Sequence, residues 1–421
     1  MAAQLEPLPG TSDLWEQELV DWVSLETCAR ETFSKYGYGE LRTPVLERTK
    51  VFTRSLGDET DVVQKEMYTF EDRGGRSLTL RPEGTAGVIR AIANRGLATG
   101  EERRVFYMGP MFRGEKPAAG RKRQFHQIGV ESVGKVSPWL DVECIAMLMR
   151  FLAELGIPNG RLLLNTRGLP EDRERVTAKL LEHFEPRLGE LCADCQRRIQ
   201  TNIWRILDCK EPGCQPATET APRITDLLGP ESQAFFETVC RGLEDLGIEF
   251  ELSPRLVRGL DYYLHTVFEV VHEGLGAQDA LAGGGRYAIA VPGSKNPIEG
   301  VGFAAGIERL LLARESLGVK AQSAAEADVY VISLGEAVLS SGLALAETLR
   351  EAGLRVFAET TGRSLKAQMR AANRLGTRWA LIRGDTEMAA GTVLCKNMTT
   401  SEQTGVPVGD VVPWITRPTC E

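Results

Sequence analysis

Two strand-forming runs, VFYMGPMFR at 105–113 and QFHQIGVESVG at 124–134, are joined by ten residues, GEKPAAGRKR, four of them basic. A hairpin needs only two to five connecting residues, so a connection of this length and charge has some other use. Strand side chains alternate with period 2, which puts Gln127, Gly129 and Glu131 on one face, with Arg113 and Glu115 at the end of the preceding strand. Polar groups on an apolar strand pair need partners. A guanidinium placed there can hold a phosphate through two parallel hydrogen bonds and offset charge that develops during reaction. The alternative is a salt-bridged surface ribbon.

The chain is 421 residues long, which predicts two or three domains, and its 43% hydrophobic content is enough for a sizeable core. A net charge of −8 argues against coating nucleic acid by bulk electrostatics. Local charge runs the other way: seven basic residues against Glu115 alone between Arg103 and Arg123, and six with no acidic residue from Arg363 to Arg383. Either run alone also fits a solvated face; together they point to polyanion contacts at two places. No apolar run reaches membrane-spanning length, and MAAQLEPLPGTSDLW lacks the basic flank and apolar stretch of a signal peptide, so a cytoplasmic protein is expected.

Along the chain, Asp13 is a candidate cap for a helix with Trp15, Leu19, Trp22, Ala29 and Phe33 at helical spacing, ended by Gly37. Short strands are predicted at 41–45, 67–70 and 77–81, ahead of the pair at 105–113 and 124–134. A helix-rich stretch from 168 to 247 reads as an insertion. Strand signals resume at 256–271, Gly283-Gly284-Gly285 reads as a turn, and a helix begins at Ile307. Residues 319–326 resemble a linker, and alternating patterns from 327 to 421 predict a small α/β domain with parallel strands.

Several chemistries are excluded. No GxxxxGK[ST] loop occurs, and four histidines form no clustered pair. Gly300-Val301-Gly302-Phe303-Ala304-Ala305 fits a loose dinucleotide fingerprint, but Lys295-Asn296-Pro297 precedes it where a strand is needed. Nine cysteines in a chain without an export signal make a disulfide framework unexpected. The spacing Cys192-x2-Cys195-x13-Cys209-x4-Cys214 suits a four-thiolate, structural Zn²⁺ site, or else buried free thiols.

Residues 107–131, with Arg113-x-Glu115, a basic loop and Arg123-x-Phe125-His126-Gln127, resemble motif 2 of class II aminoacyl-tRNA synthetases in the form found in histidyl-tRNA synthetases. Arg81-Pro82-Glu83-Gly84-Thr85 resembles that family's amino-acid loop. Arg258-Gly259-Leu260-Asp261-Tyr262-Tyr263, Thr266-Val267-Phe268-Glu269 and Gly283-Gly284-Gly285-Arg286-Tyr287 resemble its histidine-specific strings. Gly302 to Arg309 resembles motif 3, Pro44 stands at the dimer-interface proline of motif 1, and the likeness continues through Gly362-Arg363-Ser364-Leu365-Lys366.

The resemblance implies an α+β catalytic domain on an antiparallel sheet over 1–167 and 248–318, a helical insertion at 168–247, and an anticodon-binding α/β domain at 327–421. It implies a homodimer that activates L-histidine with ATP and Mg²⁺ and charges tRNA(His). Arg258 and Arg113 would be catalytic, beside the α-phosphate. Glu83, Gly84, Thr85, Gln127, Glu131, Tyr262 and Tyr263, together with those arginines, would bind histidine. Arg121 would meet the outer phosphates, Phe125 and Arg309 would stack on adenine, and Glu115 would lie at the adenine end. Lys116, Arg363, Lys366 and Arg370 would contact tRNA, although each of the last three also fits a solvated helix face. An imidazole pocket needs an acceptor and an orienting group, which Glu131 and Tyr263 would supply.

Three departures stand out. Lys116 and Ala118 replace the usual Arg and Gln of the motif 2 loop, Ala288-Ile289 replaces Asp-Gly, and His265 replaces a common arginine. The runner-up is the non-catalytic, synthetase-like regulatory subunit of ATP phosphoribosyltransferase. Such subunits generally lack the C-terminal domain and the ATP-binding arginines, whereas this chain keeps both. A scaffold reused purely for RNA binding leaves the amino-acid loop without a purpose.

Overall fold

The computed structural model describes residues 6–57, 60, 62–97, 101–118, 120–276, 279–291, 297–320 and 327–417. Residues 321–326 of the expected linker, and Lys295-Asn296, lie outside the described residues. The chain divides into two compact units, Met1–Ala321 and Gln322–Glu421.

The first unit opens with α1 (Glu16–Lys35). Its N-terminus is closed by the Glu18 carboxylate, which accepts the Trp15 N–H at 2.7 Å, so Glu18 does the work expected of Asp13. Trp22, Ala29 and Phe33 are buried, but Trp15 and Leu19 are exposed, because the core cluster under the helix starts at Trp22. There follow β1 (Gly39–Glu40), β2 (Leu46–Arg48), α2 (Thr49–Leu56), β3 (Thr69–Glu71), β4 (Ser77–Leu80) and α3 (Thr85–Arg95). Residues 41–45 are not the expected strand. Pro44 has no N–H for a ladder, and the carbonyls of Thr43 and Val45 are taken by the Arg81 guanidinium (3.0 Å) and the Arg81 N–H (2.9 Å).

Next come β5 (Arg103–Phe112), β6 (Gln124–Val133), α4 (Pro138–Glu154), β7 (Arg161–Thr166), α5 (Pro170–Phe184), α6 (Ala193–Thr201), α7 (Gln215–Glu219) and α8 (Pro230–Asp245). The unit ends with β8 (Glu251–Leu252), β9 (Tyr263–Val271), β10 (Ala280–Ile289), β11 (Ile298–Gly306) and α9 (Ile307–Ser316). Eight strands form one sheet in the order β1-β5-β6-β11-β10-β9-β7-β8. It is antiparallel except at its margins, where two-residue β1 and β8 run parallel to β5 and β7. Strands β2, β4 and β3 make a separate small sheet.

Two strand expectations are corrected here. Gly283-Gly284-Gly285 lies inside β10, not in a turn; a Cβ on Gly284 would run into the Gly302 carbonyl and the Phe268 ring, so crowding is what demands glycine. The strand expected from 256 begins only at Tyr263, because the Arg258 and Leu260 carbonyls turn toward the Arg167 guanidinium (3.5 and 3.4 Å) instead of a ladder. Gly300 to Ala305 sits within β11, paired on both sides, so it offers no strand-to-helix turn for a dinucleotide.

The sheet's two faces do different work. One face packs Phe106, Val130 and Phe303 against α1, α4, α8 and α9, with the Phe33 ring 5.0 to 5.9 Å from those of Phe151, Phe106 and Phe303. From β10, Arg286 points into this layer. Its guanidinium donates to Asp141 of α4 (Nε, 3.0 Å) and to the Lys135 and Ser137 carbonyls (3.2 and 3.0 Å), and both side chains of the ion pair are fully buried. A separate apolar cluster links α5, α6 and the segment around Trp204, and includes Cys195, Cys209, Cys214 and Val257.

The second unit carries β12 (Val329–Ser333), α10 (Glu336–Glu351), β13 (Val356–Ala358), α11 (Leu365–Arg374), β14 (Trp379–Arg383), α12 (Asp385–Ala390), β15 (Thr392–Asn397), β16 (Gln403–Pro407) and α13 (Val411–Ile415). Its sheet runs β13-β12-β14-β15-β16, parallel among the first three strands and antiparallel in the last two pairs. The expected all-parallel arrangement fails at β15: the connection from β14 is too short for the crossover of about a dozen residues that a parallel neighbour needs.

Removing one partner of a fully buried ion pair strands a charge, so Asp141→Ala should cost about 3–5 kcal/mol of unfolding free energy. Denaturant titration checks this. A loss below about 1 kcal/mol would mean that the two carbonyls suffice to hold Arg286.

Candidate active-site cleft over a glycine-floored sheet

On the other sheet face, a cleft of about 870 Å³ opens over β6, β11, β10 and β9. Register explains the space. Gly129 lies opposite Ala304, Ala304 opposite Gly283, and Gly283 opposite Glu269, so three positions in that row carry at most a methyl group. The next row reads Glu131, Gly302, Gly285, Val267. A Cβ on Gly283 would collide with the Arg258 guanidinium, and one on Gly302 with the Glu131 carboxylate.

Nine of the site residues singled out in the sequence line this cleft: Arg113, Glu115, Arg121, Phe125, Gln127, Arg258 and Arg309, with Cys192 and Cys209 from the helical stretch that borders it. Arg113 donates to the Pro82 carbonyl at 2.9 Å, and its guanidinium carbon sits 5.2 Å from the Phe125 ring centroid. Glu115 pairs with Arg121 at 3.0 Å and approaches Arg113 at 3.8 Å. Arg309, in the first turn of α9, donates to the Ala280 carbonyl. Arg258 is ion-paired with Glu269 and lies against the Tyr263 hydroxyl. Burial, and then the charge of Arg121, pull Arg309 below the usual arginine range, as expected where guanidinium groups converge on a site that takes anions.

The other expected pocket residues form a buried polar cluster. The two Glu83 oxygens accept the Thr85 and Ala86 N–H groups at 2.7 and 2.8 Å, closing the N-terminus of α3. Thr85 donates its hydroxyl to Glu131 at 2.7 Å, and Gly84 packs against the Tyr107 ring, leaving no room for a side chain. The Tyr262 ring centroid lies 4.7 Å from that of Tyr263 and 5.6 Å from that of Tyr287. The Tyr287 hydroxyl lies against the Glu131 carboxyl and the Tyr107 hydroxyl against Thr85, while the buried Gln127 amide oxygen has no hydrogen-bond partner. An unpaired buried polar atom is costly, and this one faces the cleft, where a polar ligand can complete it.

The other expected residues, apart from Cys192 and Cys209 at the cleft's border, fall elsewhere. Lys116 is exposed in irregular backbone. Arg363, in the second unit, donates to Glu359 (2.9 Å) and the Tyr330 hydroxyl (3.0 Å), while Lys366 and Arg370 are exposed one turn apart on α11. Ala288 and Ile289 simply continue β10 in register with Glu299 and Ile298, and Ile289 is buried. His265 is buried outside the cleft, at φ 42°, with its ring stacked on Phe235 at 4.1 Å; burial and the nearby Arg286 charge lower its pKa to about 4. The sulfurs of Cys192, Cys195, Cys209 and Cys214 lie within 4.8 Å of one another, a grouping able to hold a metal ion.

Sequence reasoning gave no site role to Glu269 or Tyr287, although both stood inside quoted strings, nor to Tyr107. Arg167 left no local signal at all. It is 1% exposed, lies 4.9 Å over the Trp204 ring, and reaches the carbonyls of the Arg258 loop.

Burial raises the Glu131 carboxyl to about 8, against the opposing pull of the Thr85 hydrogen bond. A carboxyl raised in the fold stabilises it fully below the ordinary range near 4.3, and that stability is lost as pH rises toward 8. Glu131→Gln cannot ionise, so its stability relative to the parent should rise by a few kcal/mol between about pH 5 and pH 8. Urea titrations at several pH values check this, and a pH-independent difference would contradict it.

A family model described as Histidyl-tRNA synthetase matches residues 10–310, and one described as Anticodon binding domain matches residues 328–417. The histidine--tRNA ligase of Geobacillus thermodenitrificans is 46% identical over 413 residues, covering 96% of each chain. That of Desulforudis audaxviator is 47% identical over 410 residues, covering 97% of each. The crystal structure of apo S. aureus histidyl-tRNA synthetase superimposes with a TM-score of 0.81 at 35% identity, covering 98% of this chain and 100% of that one. Likeness of that extent, running through every strand that floors the cleft, places this chain in the histidyl-tRNA synthetase family.

Proposed function

We propose that this chain is a histidine–tRNA ligase: it joins L-histidine to ATP as histidyl-adenylate and transfers the histidyl group to the 3′ end of tRNA(His). The observation that carries the reading is the convergence of four guanidinium groups and the buried Glu131 carboxyl on one glycine-floored sheet face. In the first step the histidine carboxylate attacks the α-phosphate, an O–P bond forms, and the bond to pyrophosphate breaks. This is a problem of alignment and charge compensation more than of proton transfer.

Arg113 and Arg258 flank the α-phosphate in this reading, Arg121 meets the outer phosphates, and Phe125 with Arg309 encloses the adenine, Glu115 lying beside it. Glu131 and Tyr263 hold the imidazole, with Tyr262 packed behind Tyr263. Thr85, Gln127 and the lone pairs left on Glu83 receive the ammonium over Gly84. Glu115 and Glu269 are cleft carboxylates that would suit a hard cation such as Mg²⁺, which would supply charge neutralisation at the outer phosphates. In the second step a ribose hydroxyl at the tRNA end attacks the histidyl carbonyl, and AMP leaves.

Lys116 in the motif 2 loop and Arg363, Lys366 and Arg370 in the second unit are the tRNA contacts of this reading, and the second unit reads the anticodon. The protein works as a homodimer through the region of the exposed Pro44, in the cytoplasm. Among the described residues no helix is long and apolar enough to cross a membrane. The four cysteines are read as a structural Zn²⁺ site.

Histidine-dependent ATP–pyrophosphate exchange without tRNA tests the reading. The protein should catalyse it, and Arg258→Ala should lower kcat by about 10²- to 10³-fold, the usual cost of losing one donor to developing charge. Calorimetric histidine binding should weaken far less than kcat falls, because Glu131, Tyr263 and the Glu83 loop remain. Histidine binding without exchange in the unmodified protein would instead favour the regulatory-subunit reading.

A further inference from the structure

The insertion does more than cover the cleft: its contacts end on the backbone that carries Arg258. The Arg258 loop has no ladder of its own between Leu256 and Tyr262, so its shape depends on what surrounds it. Asn202, at the C-terminus of α6, donates to the Asp261 carboxylate at 3.1 Å. Arg173 of α5 donates to the Asp261 carbonyl at 3.3 Å. The Arg205 guanidinium packs on Gly259 so closely that a Cβ there would come within 2.7 Å of it. Arg167, over Trp204, reaches the carbonyls of Arg258 and Leu260. Val257, next to Arg258, is buried in the insertion's own apolar cluster.

That cluster also holds Cys195, Cys209 and Cys214, and three of the clamp residues, Asn202, Trp204 and Arg205, lie between Cys195 and Cys209. Cys192 and Cys195 begin α6, Asn202 ends it, Trp204 and Arg205 follow, and Arg205 is tied to Asp208 (3.2 Å) immediately before Cys209. Four thiolates around Zn²⁺ at about 2.3 Å would have sulfurs roughly 3.8 Å apart. Here the Cys192 and Cys209 sulfurs are 3.9 Å apart, all four sulfurs lie within 4.8 Å, and the Cys192 N–H donates to the Cys214 sulfur at 3.2 Å, as thiolate ligands commonly require. Four thiolates on Zn²⁺ carry a net charge of about −2; Lys210, next to Cys209, and Arg198, three residues after Cys195, have the sign to offset it.

We infer that a thiophilic divalent ion, Zn²⁺ or a chemical equivalent, bound by Cys192, Cys195, Cys209 and Cys214, fixes the segment 202–208 and through it the position of Arg258. On binding, each thiol gives up its proton to solvent as its sulfur takes a coordination bond. The ion does no chemistry on the substrate, since four protein ligands leave no open position. Asn202, Arg205 and Arg167 are positioning residues: they set where Arg258 stands, and Arg258 meets the phosphate. The role given to Arg258 rests on the ligase reading; the metal site does not.

The test begins with the purified, reduced full-length protein. Elemental analysis should find about one zinc per chain, and Co²⁺ added after chelation should give the visible absorption of a tetrahedral thiolate site. Absence of both overturns the site. The same protein, stripped by a chelator and then reloaded with Zn²⁺, is assayed for pyrophosphate exchange. Stripping should lower kcat by about 10²-fold with the KM for histidine little changed, and reloading should restore it. Metal bound and removed with kcat unaltered overturns the coupling.

Asn202→Ala leaves all four cysteines in place, so it should keep the zinc and the Co²⁺ spectrum while lowering kcat. An Asn202→Ala protein with full activity also overturns the coupling. If the loaded parent protein binds metal but never exchanges pyrophosphate, the ligase reading fails and the metal site stands.

Discussion

A β-sheet can seat a ligand on its face only where its own side chains are missing, and the missing Cβ atoms at Gly283 and Gly302 are the constraint on which the cleft depends. Each glycine in a strand interior costs roughly 0.5–1 kcal/mol relative to alanine. The same strands offset that cost on their reverse face, where Phe106, Val130, Phe268 and Phe303 pack into the main core. Period-2 alternation lets one strand do both jobs: β6 turns Ile128 and Val130 to the helices and Gln127, Gly129 and Glu131 to the cleft. With the floor cleared, the Arg258 guanidinium can lie directly over Gly283 and the Glu131 carboxylate over Gly302.

That alternation is also why half of the site could be read from the chain. Spacing alone puts Gln127, Gly129 and Glu131 on one face with Arg113 and Glu115 at the end of the preceding strand, while the part given to Arg121 comes from the resemblance. The resemblance to a known family then supplied Arg258 and Arg309, which are far from that segment in sequence and meet it only through the strand order β6-β11-β10-β9. What stayed illegible is what tertiary packing decides. Three glycines in a row look like a turn, and only the crowding around Gly284 shows that they belong to a strand. Trp15 and Leu19 keep helical spacing with Trp22, yet they lie exposed on α1. The fourth strand of the second unit's sheet, β15, turned antiparallel because of the length of its connection, which hydrophobic pattern does not report.

His265 shows how a departure from the usual pattern can be accommodated. An arginine there would add a cation next to Arg286, whose single carboxylate partner, Asp141, is already committed. Histidine, held neutral by burial, stacks on Phe235 instead, and the Arg286 guanidinium carbon lies 5.6 Å from that same ring. The change therefore belongs to the layer beneath the sheet and not to the cleft, whereas Ile289 is buried on the other face, in one cluster with Tyr107, Tyr263 and Tyr287.

Arg258 and Arg286 both stand in strings that resemble the family's histidine-specific motifs, and only Arg258 is given a catalytic role there; solvent exposure separates the two. The Arg286–Asp141 pair has no exposure on either side, so its charges cannot be shared with a ligand without paying desolvation again. In the Arg258–Glu269 pair the two side chains keep 25% and 22% exposure, and in Arg121–Glu115 they keep 48% and 20%. Pairs of that kind contribute little to stability. A guanidinium has five N–H donors and spends only some of them on its carboxylate, so an arriving phosphate adds to the arrangement without dismantling it. In the ligase reading, Glu269 and Glu115 would hold the arginines in position before the anion arrives. Alignment is thereby set by the protein, and less of it has to be drawn from substrate binding.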